Sequence, residues 1–130
     1  MLKEKIKYVD YNGLEREEEF YFNLNKVELV ELQLNTPGGF DKKLSEAIEK
    51  QDIPSIVSIV KDLVIKSYGV KSEDGKRFIK SKDLTDSFVQ SEAYNTLFMK
   101  IVSDADYATK FINSIIPVIE EVKPQIPNTK

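Results

Sequence analysis

Residues 2–24 read LKEKIKYVDYNGLEREEEFYFNL, two β-prone runs separated by the pair Asn12-Gly13. An Asn-Gly pair in this position is a strong signal for a β-hairpin, because both residues tolerate the backbone conformation of a tight turn. A hairpin with one apolar face is not stable alone in water. The rest of the chain must therefore supply elements that cover it.

The charge pattern of these two runs predicts how the strands pair. A two-residue loop would mix apolar and acidic side chains on one face. A three-residue loop ending at Gly13 pairs Lys5 with Glu19 and Lys7 with Glu17 instead. It also gathers the apolar residues on the other face, namely Leu2, Ile6, Tyr8, Phe20, Phe22 and Leu24. Because a slip of one residue exchanges the faces, we predict the three-residue loop.

Helical periodicity and capping residues account for most of the remaining sequence. Asn25 followed by Glu28 is a capping-box pattern, and Gly69 is the expected left-handed residue after the third helix. Between this glycine and Ser81 we expect a polar loop with a turn at 73–75. The predicted helices cover about residues 26–34, 41–50, 53–68, 82–89, 92–102 and 105–116.

These elements predict a mainly α, α+β fold. An N-terminal β-hairpin, about residues 3–24, packs on a bundle of five to six short helices. We expect a single globular domain over residues 1–117. Pro117, Pro124 and Pro127 disfavour a further helix, so residues 118–130 are expected to form a flexible, proline-containing tail.

The composition excludes several classes of chemistry. The 130-residue chain has no His and no Cys, and its 19 basic and 22 acidic residues leave a net charge of −3. It therefore lacks an imidazole base, a thiolate nucleophile and the usual zinc ligands. We expect a protein that is not an enzyme and uses no metal or cofactor. No signal-peptide pattern and no apolar run of about 18 residues occurs, which favours the cytoplasm and no membrane.

The basic stretch 71–82 is the clearest candidate for a charged contact. Phe78 lies among its lysines and Arg77, and basic residues around an exposed aromatic ring can bind single-stranded nucleic acid. The alternative is that Phe78 and Ile79 anchor the loop on the core and leave a solvated basic surface for an acidic partner. The slightly acidic chain favours the second interpretation, without nucleic acid.

Six segments carry a specific resemblance: IKYVDYNG (6–13), FYFNL (20–24), KSYG (66–69), DGKRFIKS (74–81), SEAY (91–94) and FINSIIP (111–117). With them the chain resembles, over about residues 3–117, the tail assembly chaperones of long-tailed bacteriophages, in particular siphophages of low-GC Gram-positive bacteria. None of these segments is a catalytic motif.

The resemblance implies a function. Such chaperones bind the long, helix-rich tape measure protein, keep it soluble and promote polymerisation of the tail tube protein. They act in the host cytoplasm during virion assembly, self-associate, and are absent from the mature virion. A frameshifted longer form is known in many phages. The alternatives are a structural or tail-completion protein of the particle, or a small nucleic-acid-binding adaptor that uses residues 71–82.

We expect two sets of contact residues. Apolar groups on short elements or in the tail are candidates for partner or self-association contacts: Phe78, Phe88, Tyr94, Ile115, Ile119, Val122 and Ile126. The hairpin is net acidic and the middle of the chain net basic, so copies could meet head-to-tail. The candidates for that electrostatic contact are Lys76, Arg77, Lys80, Glu17 and Glu19.

Overall fold

The structure, a computed structural model, describes residues 1–116. Two strands are followed by three helices, a second pair of strands and three further helices. The strands are β1 (Leu2–Val9), β2 (Glu15–Phe22), β3 (Tyr68–Lys71) and β4 (Phe78–Ile79). The helices are α1 (Lys26–Asn35), α2 (Phe40–Glu49), α3 (Ile53–Ser67), α4 (Lys82–Val89), α5 (Glu92–Ser103) and α6 (Ala105–Ile115). The α+β class and the N-terminal hairpin packed on helices are confirmed.

The first hairpin has the predicted register. Lys5 lies opposite Glu19 and Lys7 opposite Glu17. Asp10 closes the loop, because its N–H donates to the Leu14 carbonyl and its carbonyl accepts from the Gly13 N–H. Gly13 has a φ of 79°, the left-handed conformation that such a loop requires.

The segment after α3 differs from the prediction. We expected a left-handed Gly69 and a polar loop, but β3 and β4 form a second hairpin that extends the sheet in the order β1-β2-β3-β4. Gly69 is not among the glycines with positive φ. It lies in β3 opposite Tyr21, and a Cβ there would lie 2.5 Å from the Phe78 ring. The glycine is therefore explained by close packing and not by helix termination.

The core lies between the apolar face of the sheet and the helices. Phe22 is fully buried, and its ring lies 5.3 Å from the Phe111 ring and 5.8 Å from the Phe88 ring, measured between centroids. Val60, Leu63 and Val64 from α3 are buried in the same cluster. All the described helices except α2 begin at a side-chain cap. Asn25, Asp52, Ser81, Ser91 and Asp104 each accept a hydrogen bond from a backbone N–H of the first turn.

None of the helices within residues 1–116 is both long and apolar enough to cross a membrane. The predicted tail, residues 118–130, lies outside the described residues.

Candidate partner-binding site

An apolar groove of about 540 Å³ lies between α2 and α3 on one side and α5 and α6 on the other. We call it the helical groove. One wall is formed by Leu44, Ile48, Ile53, Ile56, Val57 and Val60. The other is formed by Ile101, Val102, Ala105, Ala108 and Ile112, and the polar lining residues are Gln51, Ser103 and Thr109.

The helical groove exists because α3 is apolar along a greater length than the core covers. Its apolar stripe, the row of apolar side chains on one face of the helix, runs from Ile53 to Val64. The C-terminal part of the stripe is buried, and Val60, Leu63 and Val64 are each 1% exposed. Ile53, at the N-terminal end of the same stripe, is 61% exposed. Helical spacing puts Ile53 on the same face of α3 as Val60 and Val64. The excess length of that stripe was the signal in the sequence that could have indicated the groove.

The rim of the groove consists of large apolar side chains in contact with solvent. Ile48 is 53% exposed, and Val102, on the opposite wall, is 40% exposed. Such groups pack against other apolar groups. No ionisable side chain lines the groove, and residues 1–116 contain no cluster of acidic residues that could hold a metal ion. An open apolar surface of this kind can bury apolar side chains of another molecule.

Three of the predicted contact residues lie in the core. Phe88, Tyr94 and Ile115 are 3%, 8% and 4% exposed. The Phe88 ring stacks on Tyr68 at 4.4 Å, and Tyr94 meets it edge-on at 5.5 Å. The rings of Phe88, Tyr68 and Tyr94 fill the space beneath the first hairpin. Ile115 belongs to the same core cluster. A position on a short helix was a poor guide to exposure, because short helices here cover a sheet rich in aromatic residues.

The remaining predicted apolar residues divide into two groups. Phe78 is half-buried in β4, where its ring covers Gly69, and the Lys80 ammonium lies 5.8 Å from the ring centroid. One face of this ring is therefore occupied within the chain, which argues against a base-stacking role. Ile119, Val122 and Ile126 lie outside the described residues.

Most of the predicted electrostatic residues have partners within the chain. The Glu17 carboxylate lies 3.9 Å from Lys5 Nζ and 3.6 Å from Lys7 Nζ, and that of Glu19 lies 3.6 Å from Lys3 Nζ. Lys80 Nζ contacts Glu28 at 2.8 Å. Lys76 and Arg77 are exposed in the turn between β3 and β4, and neither side chain makes an ion pair within the described residues. These two remain the best placed to reach an acidic partner.

The ionisable groups with the clearest shifts are structural. The Tyr107 hydroxyl donates to Glu4 Oε2 at 2.8 Å, and burial together with this hydrogen bond raises the pKa of Tyr107. The hydrogen bond to Glu18, together with burial, raises the pKa of Tyr8 to about 12. Hydrogen bonds from Arg16 and from the Leu14 N–H hold the pKa of Asp10 below its usual value. These groups join the first hairpin to α6 or stabilise the hairpin itself, and none lines the helical groove.

A protein-family model described as phage tail assembly chaperone matches residues 1–127. No curated protein and no solved structure matches the chain significantly.

Proposed function

We propose that this chain, which belongs to the phage tail assembly chaperone family, binds the tape measure protein. The proposed binding site is the helical groove, and the bound parts of the tape measure protein are apolar helical segments. Bound in this way, the tape measure protein stays soluble while the tail tube protein polymerises around it. The observation that carries the proposal is an open groove with two apolar walls in a chain of this family.

The size and lining of the groove suit an amphipathic helix. Pockets that take ligand groups have volumes of roughly 300–1,000 Å³, and about 540 Å³ accommodates several apolar side chains from one helical face. Ile48 and Ile53 at the rim would then pack against the body of the bound helix. Recognition of an amphipathic helix by an apolar groove is a recurring mode of peptide binding.

Weak binding at each groove fits the assembly role. A long client with repeated apolar segments can hold many chaperone copies, and linked sites raise the overall affinity without a strong single contact. Weak individual contacts also allow the chaperone to leave as the tube advances. The proposed function is accordingly non-catalytic, takes place in the host cytoplasm during assembly, and leaves the mature virion without the chaperone. Mass spectrometry of purified virions separates this function from that of a structural or tail-completion protein.

Capture of the client by groove variants tests the proposal. The full chain is co-expressed with the tape measure protein of the same phage and purified through an affinity tag. Ile53→Asp and Val102→Asp each place a charge in the groove, and we expect client capture to fall about tenfold or more, the equivalent of about 1.4 kcal/mol. Both side chains are exposed, so the fold should tolerate the changes.

Val27→Asp and Leu34→Asp are the matched controls. Both residues are exposed apolar side chains, at 67% and 77%, on α1 and outside the groove. The controls should capture the client as well as the unmodified chain does. Undiminished capture by both groove variants would show that the client binds elsewhere.

Self-association along the client is a second part of the proposal. Lys76 and Arg77 carry positive charge that makes no ion pair within residues 1–116, whereas the first hairpin carries a run of glutamates. A contact between these surfaces of two copies is screened by salt. We expect the average oligomer size, measured by sedimentation, to fall as salt rises, and Lys76→Glu/Arg77→Glu to abolish that dependence. An oligomer size independent of salt contradicts this contact.

A further inference from the structure

One outer edge of the sheet is open in the part of the chain that the structure describes. β1 comes first in the order β1-β2-β3-β4, so only one of its two sides is paired. The Asp10 N–H bonds to the Leu14 carbonyl, and bonded pairs alternate along an antiparallel ladder. The backbone groups of Lys3, Lys5 and Lys7 therefore point away from β2, and no other element of residues 1–116 bonds to them. We call these backbone groups the β1 edge.

Positive charge accompanies the β1 edge on the solvent-facing side of the sheet. The side chains of Lys3, Lys5 and Lys7 are each more than half exposed. Lys5 and Lys7 share one carboxylate, that of Glu17, at 3.9 and 3.6 Å. Lys3 lies 3.6 Å from Glu19. Ion pairs between exposed groups are weak, so the three ammonium groups can attract further carboxylates.

A cleft of about 300 Å³ runs along the same edge, between β1 and the helices α5 and α6. Lys5 and Lys7 line it from the strand, and Leu97, Lys100 and Tyr107 line it from the helices. Lys100 Nζ lies 4.3 Å from the centroid of the Tyr107 ring and makes no ion pair within residues 1–116. A strand laid beside β1 would therefore meet apolar side chains and a fourth lysine in this cleft.

The charge and length of the open strands indicate what can pair with the β1 edge. Pairing of β1 with β1 of a second copy would bring lysines next to lysines, and like charges opposite each other destabilise a strand pair. The other outer strand, β4, has only two residues and cannot cover the β1 edge of a second copy. An extended segment with acidic residues at alternate positions is attracted instead, because alternate side chains share one face of a strand.

We propose that the β1 edge binds an extended acidic segment of a partner protein by strand addition. The backbone of the segment bonds to Lys3, Lys5 and Lys7, and its acidic side chains lie beside these lysines. The intervening apolar side chains lie in the cleft. In strand addition the backbone bonds supply affinity and the alternate side chains supply specificity. This surface is separate from the helical groove, since no residue lines both.

The blocked seven-residue peptide TEVEVET, added to the full chain without any client, tests the proposal. Amide hydrogen exchange is followed by NMR. We expect the Lys5 and Lys7 amides to exchange rapidly in the free chain, and about tenfold more slowly with peptide at ten times its Kd. The Ile6 amide points towards β2 and should change little. The control peptides are EEETVVT, with the same composition but no alternation, and TKVKVKT, with the opposite charge. Neither should slow the two amides.

Substitutions at Lys5 separate the contribution of the backbone from that of charge. Lys5→Pro removes an outward N–H, and proline is tolerated at an edge where the N–H faces solvent. We expect it to weaken TEVEVET binding about tenfold or more. Lys5→Glu should weaken TEVEVET binding and strengthen TKVKVKT binding. Lys71→Glu makes the same change at an exposed lysine of β3 and should do neither.

Three results would overturn the proposal. TEVEVET could leave the Lys5 and Lys7 amide rates unchanged, or EEETVVT could slow them equally, which would indicate attraction by charge alone. Slow exchange of both amides in the free chain would show that the edge is already occupied, by a second copy where the rate depends on protein concentration. Because no client and no groove residue takes part, each of these results leaves tape measure binding in the helical groove unaffected.

Discussion

At the scale of single residues, two contacts fix how neighbouring elements pack. Gly69 allows the Phe78 ring to lie directly on the backbone of β3. The Tyr107 hydroxyl links α6 to Glu4 in β1, a partner 103 residues away in sequence. Neither contact was predictable from local pattern, because a glycine after a helix usually indicates a cap, and a tyrosine gives no indication of its acceptor.

Gly69→Ala should destabilise the protein. The new Cβ would lie 2.5 Å from the Phe78 ring and 2.8 Å from the Ile79 carbonyl oxygen, a backbone atom that cannot move freely. We expect a loss of about 1–3 kcal/mol in the free energy of unfolding, the usual cost of overpacking. Urea denaturation measures it, and Lys71→Ala in the same strand, exposed to solvent, is the control. An unchanged urea midpoint for Gly69→Ala would mean that β3 and Phe78 do not pack as described.

Tyr107 should contribute a stability that depends on alkaline pH. Its pKa in the folded protein lies above the ordinary value of 10.0, chiefly because of burial. The folded state therefore favours the protonated phenol, and the contribution is complete below pH 10 and lost as the pH rises through the raised pKa. Tyr107→Phe removes the ionisable group, so its unfolding free energy should fall less steeply above pH 10. Parallel urea denaturations at several alkaline pH values measure the difference, and identical slopes would contradict the buried position of Tyr107.

At the scale of elements, the sequence predicted most of the fold for identifiable reasons. The register of the first hairpin follows from its charge and apolar pattern, and α4 has the predicted bounds because Ser81 caps it. The second hairpin was missed because β4 has only two residues. Such a strand has no periodicity of its own and forms because β3 presents an edge to it.

Asn25→Ala should loosen α1 through the loss of its cap. Asn25 Oδ1 accepts from the Glu28 N–H at 2.8 Å, and Glu28 Oε1 accepts from the Asn25 N–H at 3.0 Å. Loss of such a cap costs about 0.5–2 kcal/mol, which thermal unfolding followed by circular dichroism detects. Asn35→Ala, in the last turn of the same helix, makes the same substitution at an exposed site and should leave the midpoint nearly unchanged. Equal effects of the two changes would contradict the cap.

At the scale of the whole molecule, the family was recognisable from six segments, and the family match confirms it. The candidate partner-binding surface was not predictable in the same way. The helical groove depends on the space that four helices leave between them, and apolar periodicity alone does not show where a stripe leaves the core. For the same reason Phe88 and Tyr94, expected at a partner contact, belong to the interior.

Site-specific photo-crosslinking tests the central claim most directly. A photoreactive amino acid is introduced at Ile53, in the groove, or at Leu34, on α1, in the full chain co-expressed with the tape measure protein. After irradiation, we expect a covalent adduct with the tape measure protein from position 53 and none above background from position 34. Both side chains are strongly exposed, so accessibility alone does not separate them. Adducts from position 34 with none from position 53 would contradict a client-binding groove between α2, α3, α5 and α6.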